Sequence, residues 1–370
     1  MQEHALAERL ITYDTCTLEG IQSAAGFIKG WLESRDVDVL TGSHNGLPVI
    51  AATVGASAAA DAPTVILHGH LDVVPGRPEQ FVPRTDGDRL FGRGAYDMKG
   101  GLASMMVAAR DLVEQSDVRV HLVVVSDEES DEITQRGSDY LVEQGYTGDF
   151  AITGEPTDLH IGVQAKGVLA MRLEVSGKSA HGSTPWLGDN AVLKAIDVFR
   201  QIESMPFSRE SSEFFDRPSI SLGRIMGGDV INKVPDMCAM DVDVRYLPGQ
   251  DPDRILEQVS AIPDVHVGKV FTRAPAIVER SNPYVQLLAS AVAEGTPAER
   301  ISVGRDGASD AISFIEAGVP AVEFGPEGAG HHGPEEWVSI PSLSRYRAAL
   351  VEFVHLIGEQ QIPTQHLRIA

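Results

Sequence analysis

The stretch Val65-Ile66-Leu67-His68-Gly69-His70-Leu71-Asp72 runs from a short apolar segment directly into two imidazoles and a carboxylate. A continuous apolar run bounded in this way reads as a strand buried on both faces, as in a parallel sheet. The runs at 120–125 and 150–152 have the same character. Between the first two lies 98–112, apolar at Met98, Leu102, Met105, Met106, Ala109 and Leu112, which is helical spacing. Strands alternating with helices predict an α/β domain with a mixed, mostly parallel sheet between helices. Open sheets of this kind carry their sites at the carboxyl ends of the strands, where His70 and Asp72 fall.

Outward from this stretch, Leu6, Leu10, Ile21, Ala24, Phe27, Ile28, Trp31 and Leu32 recur at helical spacing, so one or two helices open the chain. After Gly167 the pattern changes. Met171, Leu173 and Val175 alternate with Arg172 and Glu174, as in a strand with one solvated face. A helix over 190–202, strands over 219–225 and 237–246, a helix over 252–262 and a strand over 265–272 follow. That order, β-α-β-β-α-β, is ferredoxin-like. Helix and strand signals then resume at 284–292, 301–303, 309–317, 319–324 and 343–358. The expected organisation is a discontinuous α/β domain, 1–167 and 277–370, interrupted by an inserted α+β lid at 168–276.

With 370 residues, 43% hydrophobic and 22% charged, the chain is long enough for two globular cores. Its 30 Lys and Arg against 53 Asp and Glu give a net charge of −23. Such a field repels phosphate backbones and anionic bilayers, so neither nucleic acid nor membrane is an expected partner. An anionic substrate would need local positive charge, such as metal ions. Cys16 and Cys238 are the only cysteines, which excludes a disulfide scaffold and fits a reducing compartment. No apolar run reaches the roughly 18 residues of a membrane helix, and the first residues lack a signal-peptide pattern. A cytoplasmic protein is expected.

Chemistry concentrates at strand ends and glycine-rich turns. His70 and Asp72 lie two residues apart, pointing the same way in an extended chain, so one can ligate a metal while the other orients it. Gly92-Arg-Gly-Ala-Tyr-Asp-Met-Lys-Gly-Gly101 places Asp97 at the entry of the 98–112 helix, where a helix cap is the competing reading. A carboxylate there can also bridge two ions. Ser126-Asp127-Glu128-Glu129 ends one apolar strand and Gly154-Glu155-Pro156 another. Of two adjacent acids, one can bind metal and the other act as general base. His331-His332-Gly-Pro-Glu-Glu336 adds late imidazoles. Each motif alone has an ordinary structural explanation, but together His70, Asp97, Glu129, Glu155 and His332 converge on one sheet edge. Imidazole and carboxylate ligands without cysteine suit two catalytic Zn²⁺ ions, or Co²⁺ or Mn²⁺, better than a structural zinc.

The strings His70-Leu-Asp-Val-Val-Pro75, Gly92-Arg-Gly-Ala-Tyr-Asp-Met-Lys-Gly100, Asp127-Glu-Glu129, Gly154-Glu-Pro156 and His332-Gly-Pro-Glu-Glu336 resemble the di-zinc metallopeptidase family of acetylornithine deacetylase, succinyl-diaminopimelate desuccinylase, aminoacylase and glutamate carboxypeptidase. The resemblance runs in order from about residue 5 to 358. It implies that His70 and Glu155 hold one zinc, that Glu129 and His332 hold the other, and that Asp97 bridges them. It further implies that Asp72 orients His70, that Glu128 deprotonates the bridging water, and that the Asp97–Met98 bond is a candidate cis peptide.

In the lid, Ser179-Ala-His181-Gly-Ser-Thr-Pro185 resembles the family's oxyanion-stabilising histidine motif, with an exposed loop histidine as the competing reading. Asn232 and Arg245 match substrate-binding positions, although Arg245 paired with Asp243 is an alternative. Gly304-Arg-Asp-Gly307-Ala-Ser309-Asp310 resembles the loop lining the substrate pocket. One departure is Ile312, where desuccinylase-type relatives commonly carry arginine after Ser-Asp-Ala. The function implied is hydrolysis of the amide of an N-acyl-amino acid, or of a short peptide bearing a free carboxylate, by a homodimer joined through the lid. The alternative is a di-metal aminopeptidase or dipeptidase that recognises a free α-amine.

Overall fold

A computed structural model describes residues 2–56, 61–115, 117–130, 136–293, 302–307 and 309–360. It divides into two compact units. One comprises Met1–Val163, Val278–Val303 and Asp310–Ala370, and the other Gln164–Ile277 with Gly304–Ser309.

In the first unit the opening stretch forms the strand Thr64–His70, buried at every position. The sheet order is Val39–His44, Leu47–Gly55, Arg119–Val125, Thr64–His70, Phe150–Thr153, Ala321–Glu323, Ile161–Ala165. Thr64–His70 pairs in parallel on both sides, Val65 lying opposite Val120 and Phe150. Having neighbours on both edges and both faces, the strand has no solvated side, which is why its sequence does not alternate. Leu47–Gly55 joins antiparallel, so the sheet is mixed. The helices Gln2–Ile11, Gly100–Asp111, Pro283–Ala293 and Ile340–Gln360 pack on one another, and Leu18–Glu33 packs on Leu47–Gly55. Fully buried side chains such as Leu102, Met105, Leu343 and Leu350 each contribute about 1.5–3 kcal/mol of burial free energy.

The helix expected over 98–112 begins at Gly100. Asp97 (φ −119°, ψ 95°) and Met98 (φ −129°, ψ 29°) are not helical, and the Asp97–Met98 bond is cis, as the resemblance implied. Asp97 is therefore not a helix cap. A Cβ on Gly100 would lie 2.4 Å from the Ala95 carbonyl oxygen, and one on Gly101 2.6 Å from that of Gly154, so close backbone approach reserves both positions for glycine. Two of the features not anticipated concern strand pairing. One is the hairpin Val39–His44 with Leu47–Gly55, closed by Asn45 and Gly46 at φ 51° and 80°, the Asn-Gly chemistry of a tight primed turn. The other is a small antiparallel sheet in the order Gly328–Ala329, Trp337–Ser339, Arg89–Phe91, Arg84–Asp86. The expected strand at 301–303 is Ser302–Arg305, and residue 301 lies outside the described residues.

The second unit has the element order read from the sequence: strand Gly167–Ser176, helix Ala191–Glu203, strands Ser219–Gly227 and Met237–Tyr246, helix Pro252–Ser260 and strand Val265–Arg273. The last strand and the first are neighbours, and the sheet order places Ser219–Gly227 at one edge and Val265–Arg273 at the other. All its pairings are antiparallel. Leu169, Met171, Leu173 and Val175 pack with Ala195, Ile202, Ile255 and Val259 of the two helices in one core. Among the described residues no helix is long and apolar enough to cross a membrane.

Candidate active site

Parallel pairing aligns the carboxyl ends of three adjacent strands. His70 ends Thr64–His70, Glu128 and Glu129 follow Arg119–Val125, and Glu155 follows Phe150–Thr153. Asp97 comes from the irregular turn before Gly100–Asp111. His332, in left-handed backbone at φ 61°, comes from the loop between Gly328–Ala329 and Trp337–Ser339.

These side chains form two groups that share one residue. His70, Asp97 and Glu155 offer ligand atoms within 4.8 Å of one another, as do Asp97, Glu129 and His332. Nδ1 of His70 lies 3.0 Å from the backbone oxygen of Asp72. A carbonyl only accepts, so Nδ1 carries a proton and Nε2 is directed at Asp97 Oδ1 (3.2 Å) and Glu155 Oε1 (3.8 Å). On the other side of Asp97, His332 Nε2 lies 3.4 Å from Oδ2 and 3.0 Å from Glu129 Oε1. Asp97 thus turns one oxygen to each group.

Each group needs positive charge at its centre. Against the effect of burial, hydrogen bonds to Asp72 and Asp97 and the charge of Glu155 push His70 well above its ordinary value. Asp97 and Glu129 push His332 up to about 10. Asp97 is held well below the usual carboxylate range by the two imidazoles despite its burial, whereas burial pushes Glu155 well above it. Glu155 Oε1 is buried without a hydrogen-bond partner. A buried acceptor directed at other acceptors is costly unless a cation or proton lies between them. Three carboxylates and two imidazoles are hard and borderline ligands of the kind divalent transition ions take, so the residues fit such ions.

Glu128 belongs to neither group. Burial pushes its carboxyl up to about 8. Its Oε1 lies 3.3 Å from Nη1 of Arg136, which also donates to the Glu128 backbone oxygen at 2.6 Å. Arg136 reaches Asp310 at 3.4 Å, Asp310 accepts from the Ser138 hydroxyl at 2.6 Å, and Ser138 lies 3.0 Å from Nε2 of the fully buried His68. Arg136 and Asp310 are not among the site residues singled out from the sequence, because neither the eight-residue step from Glu128 to Arg136 nor the remote Asp310 forms a recognisable spacing. Asp72 does more than expected. Its Oδ1 is 3.6 Å from His70 Nδ1, while its Oδ2 accepts the Glu129 N–H at 2.8 Å, tying together the segments that carry His70 and Glu129.

In the second unit His181 and Asn232 share a shallow depression with Ser179, Ala180 and Lys233. His181 pairs with Lys233 in an isolated bridge, and the Gly182 N–H donates to the Asn232 backbone oxygen at 2.6 Å. Arg245 Nε donates to Asp243 at 2.9 Å, the pairing foreseen as its alternative. Gly307 is exposed and Ser309 buried.

The family described as Peptidase family M20/M25/M40 matches residues 66–356. A succinyl-diaminopimelate desuccinylase of Xanthomonas oryzae pv. oryzae is 29% identical over 351 residues, 88% of this chain and 88% of that protein. A probable carboxypeptidase of Emericella nidulans is 31% identical over 270 residues, 66% of this chain and 63% of its own length. The solved structure of a tripeptidase from Staphylococcus aureus superposes with a TM-score of 0.79 at 21% identity, covering 97% of this chain and 98% of the other. At that identity it bears on the fold, which it shares. The family match spans both carboxylate and imidazole groups and most of the chain, and the protein therefore belongs to peptidase family M20/M25/M40, as a metal-dependent hydrolase of amide bonds.

Proposed function

We propose that the protein is a two-zinc hydrolase acting on the amide of an N-acyl-amino acid, or of a short peptide with a free carboxylate. The observation that carries this reading is the pair of cation-demanding groups sharing Asp97, with the acid Glu128 beside them and outside both. His70, Asp97 and Glu155 would hold one ion, and Asp97, Glu129 and His332 the other, with Co²⁺ or Mn²⁺ able to replace Zn²⁺. Ions held there supply Lewis acidity to an amide carbonyl and acidify water. Glu128 takes the proton of the attacking water and passes it to the leaving amine. Asp72, through its backbone oxygen, keeps the proton of His70 on Nδ1. On the strength of their motifs, His181 stabilises the oxyanion and Asn232, Arg245, Gly307 and Ser309 orient the substrate. Ile312, buried where desuccinylase-type sequences carry arginine, favours substrates without a second carboxylate.

The reading includes a cytoplasmic homodimer joined through the lid. Leu193 and Ile196 on the helix Ala191–Glu203, and Ile225 and Met226 on the edge strand Ser219–Gly227, are exposed apolar side chains in support of such a face. Sedimentation of the protein as a monomer at micromolar concentration would remove the dimer.

The test of function is hydrolysis by chelator-stripped protein, with and without Zn²⁺ or Co²⁺, of acetylornithine, succinyl-diaminopimelate, acetylmethionine and dipeptides. Metal-restored cleavage of acyl-amino acids supports the proposal. Activity confined to Gly-X and Leu-X dipeptides would select the free-amine reading instead. Full activity without metal would overturn both.

A further inference from the structure

We infer that the buried pair Glu336 and Arg93 positions the metal centre: Glu336 grips the turn that carries Asp97, Arg93 grips the loop that carries His332, and their bond sets the spacing of these two ligands. The inference rests on the two-ion reading above.

Glu336 and Arg93 are 2% and 3% exposed. They meet at 2.8 Å although 243 residues apart in sequence. The acceptor capacity of the carboxylate is spent on one turn. Oε2 accepts the Gly94 N–H at 3.0 Å, and Oε1 accepts the N–H groups of Tyr96 and Asp97, each at 3.0 Å. The second arm of the guanidinium, Nη2, donates to the backbone oxygen of His332 at 3.3 Å. Both residues are anchored behind the site. The Gly92 N–H donates to the Glu336 backbone oxygen at 3.1 Å, and Trp337 pairs with Phe91 in the small sheet. Gln80 reinforces the same link, accepting the Arg93 N–H on its backbone oxygen at 2.8 Å and donating from Nε2 to the Gly333 oxygen at 3.2 Å.

A buried ion pair is a poor source of stability, since desolvating both charges offsets most of their attraction. What this pair specifies is geometry. Both carboxylate oxygens are committed to the turn that presents Asp97, one arm of the fork to the loop that presents His332, and the other arm to the carboxylate. Ligand geometry must hold to within about 0.5 Å for tight coordination. Removing such outer support of a metal site typically weakens metal binding by about 10–100-fold.

The experiment titrates Zn²⁺ into chelator-stripped wild-type, Arg93→Lys and Glu336→Gln proteins against a chromogenic chelator, with circular dichroism to confirm folding. Lysine keeps a cation against Glu336 but loses the planar fork and its reach to His332. One ion should therefore bind about 10–100-fold more weakly while the other is unchanged. Glutamine replaces one acceptor oxygen by an amide NH2, which meets N–H donors at either position, loosening the Asp97 turn, so both ions should weaken. In both variants excess Zn²⁺ should restore kcat, which a loss of fold would not permit. Wild-type affinity for both ions in Arg93→Lys, or equal weakening of both, overturns the inference, as does turnover that excess Zn²⁺ does not restore. If Glu336→Gln does not fold, Arg93→Lys decides alone. Wild-type protein that binds fewer than two ions would instead overturn the two-ion reading.

Discussion

Replacing Glu128 by glutamine isolates the proton transfer from everything around it. The amide oxygen retains the contact with Arg136 Nη1, which lies 3.3 Å from Glu128 Oε1 and also holds the residue's backbone oxygen at 2.6 Å. Arg136 keeps Asp310 as a carboxylate partner at 3.4 Å, so no buried cation is left unpaired. Glu128 lies outside both ligand groups, so neither ion loses a ligand. What disappears is the proton acceptor, worth about 10²–10⁴ in kcat, or about 2.7–5.4 kcal/mol of barrier at about 1.36 kcal/mol per tenfold. The assay measures kcat and KM at saturating Zn²⁺, alongside zinc content per chain. KM and zinc content should match the wild type while kcat falls by two to four orders of magnitude. A variant keeping more than about a tenth of wild-type kcat with both ions bound would refute the base assignment. One that lost an ion would refute the geometry that leaves Glu128 out of the ligand set.

Asp97→Ala should lose both ions and all activity, because each group uses one oxygen of this carboxylate; unchanged zinc content would exclude the bridge. His181→Ala should lower kcat by about 10²–10³ with both ions retained, and wild-type kinetics would take His181 out of the mechanism. His121, whose Nδ1 lies 2.8 Å from the Thr53 hydroxyl, is pushed by burial down to about 4 from 6.5. Above pH 6.5 the imidazole is neutral in both states; below it only the unfolded chain gains the proton, so stability drops between pH 6.5 and 4 by up to about 3 kcal/mol. His121→Gln should lose less stability than wild type between pH 7 and 4.5 in urea titrations of metal-free protein, and an equal loss would acquit His121. Gly167→Ala would set a Cβ 2.2 Å from the ring of Tyr246, a buried side chain whose hydroxyl donates to the Arg273 oxygen at 2.9 Å. The expected cost is about 1–3 kcal/mol, and an unchanged thermal midpoint would show that the ring yields freely.

Features that repeat along the chain are legible in the residues alone. The unbroken apolar run before His68 marks a strand with no solvated side, and Met171, Leu173 and Val175 mark one that has such a side, because burial imposes its period locally. The positions proposed as ligands are legible for a related reason: His70, Glu129 and Glu155 each stand at or just past the end of an apolar strand, so parallel pairing is enough to bring them to one edge. The Asn45-Gly46 pair carries the chemistry of the hairpin turn that the structure shows. Elsewhere local pattern misled, as when the apolar period ran through Met98 into a turn that is not helical. Strands of two or three residues, such as Gly328–Ala329 and Arg84–Asp86, are too short to have a period at all. That Arg136 and Asp310 lie beside Glu128, and that Glu336 and Arg93 join the segments carrying Asp97 and His332, follows from the folded chain alone. Periodicity records what one segment buries; a polar contact between distant segments depends on the path of the whole chain and leaves no repeating trace in either partner's sequence.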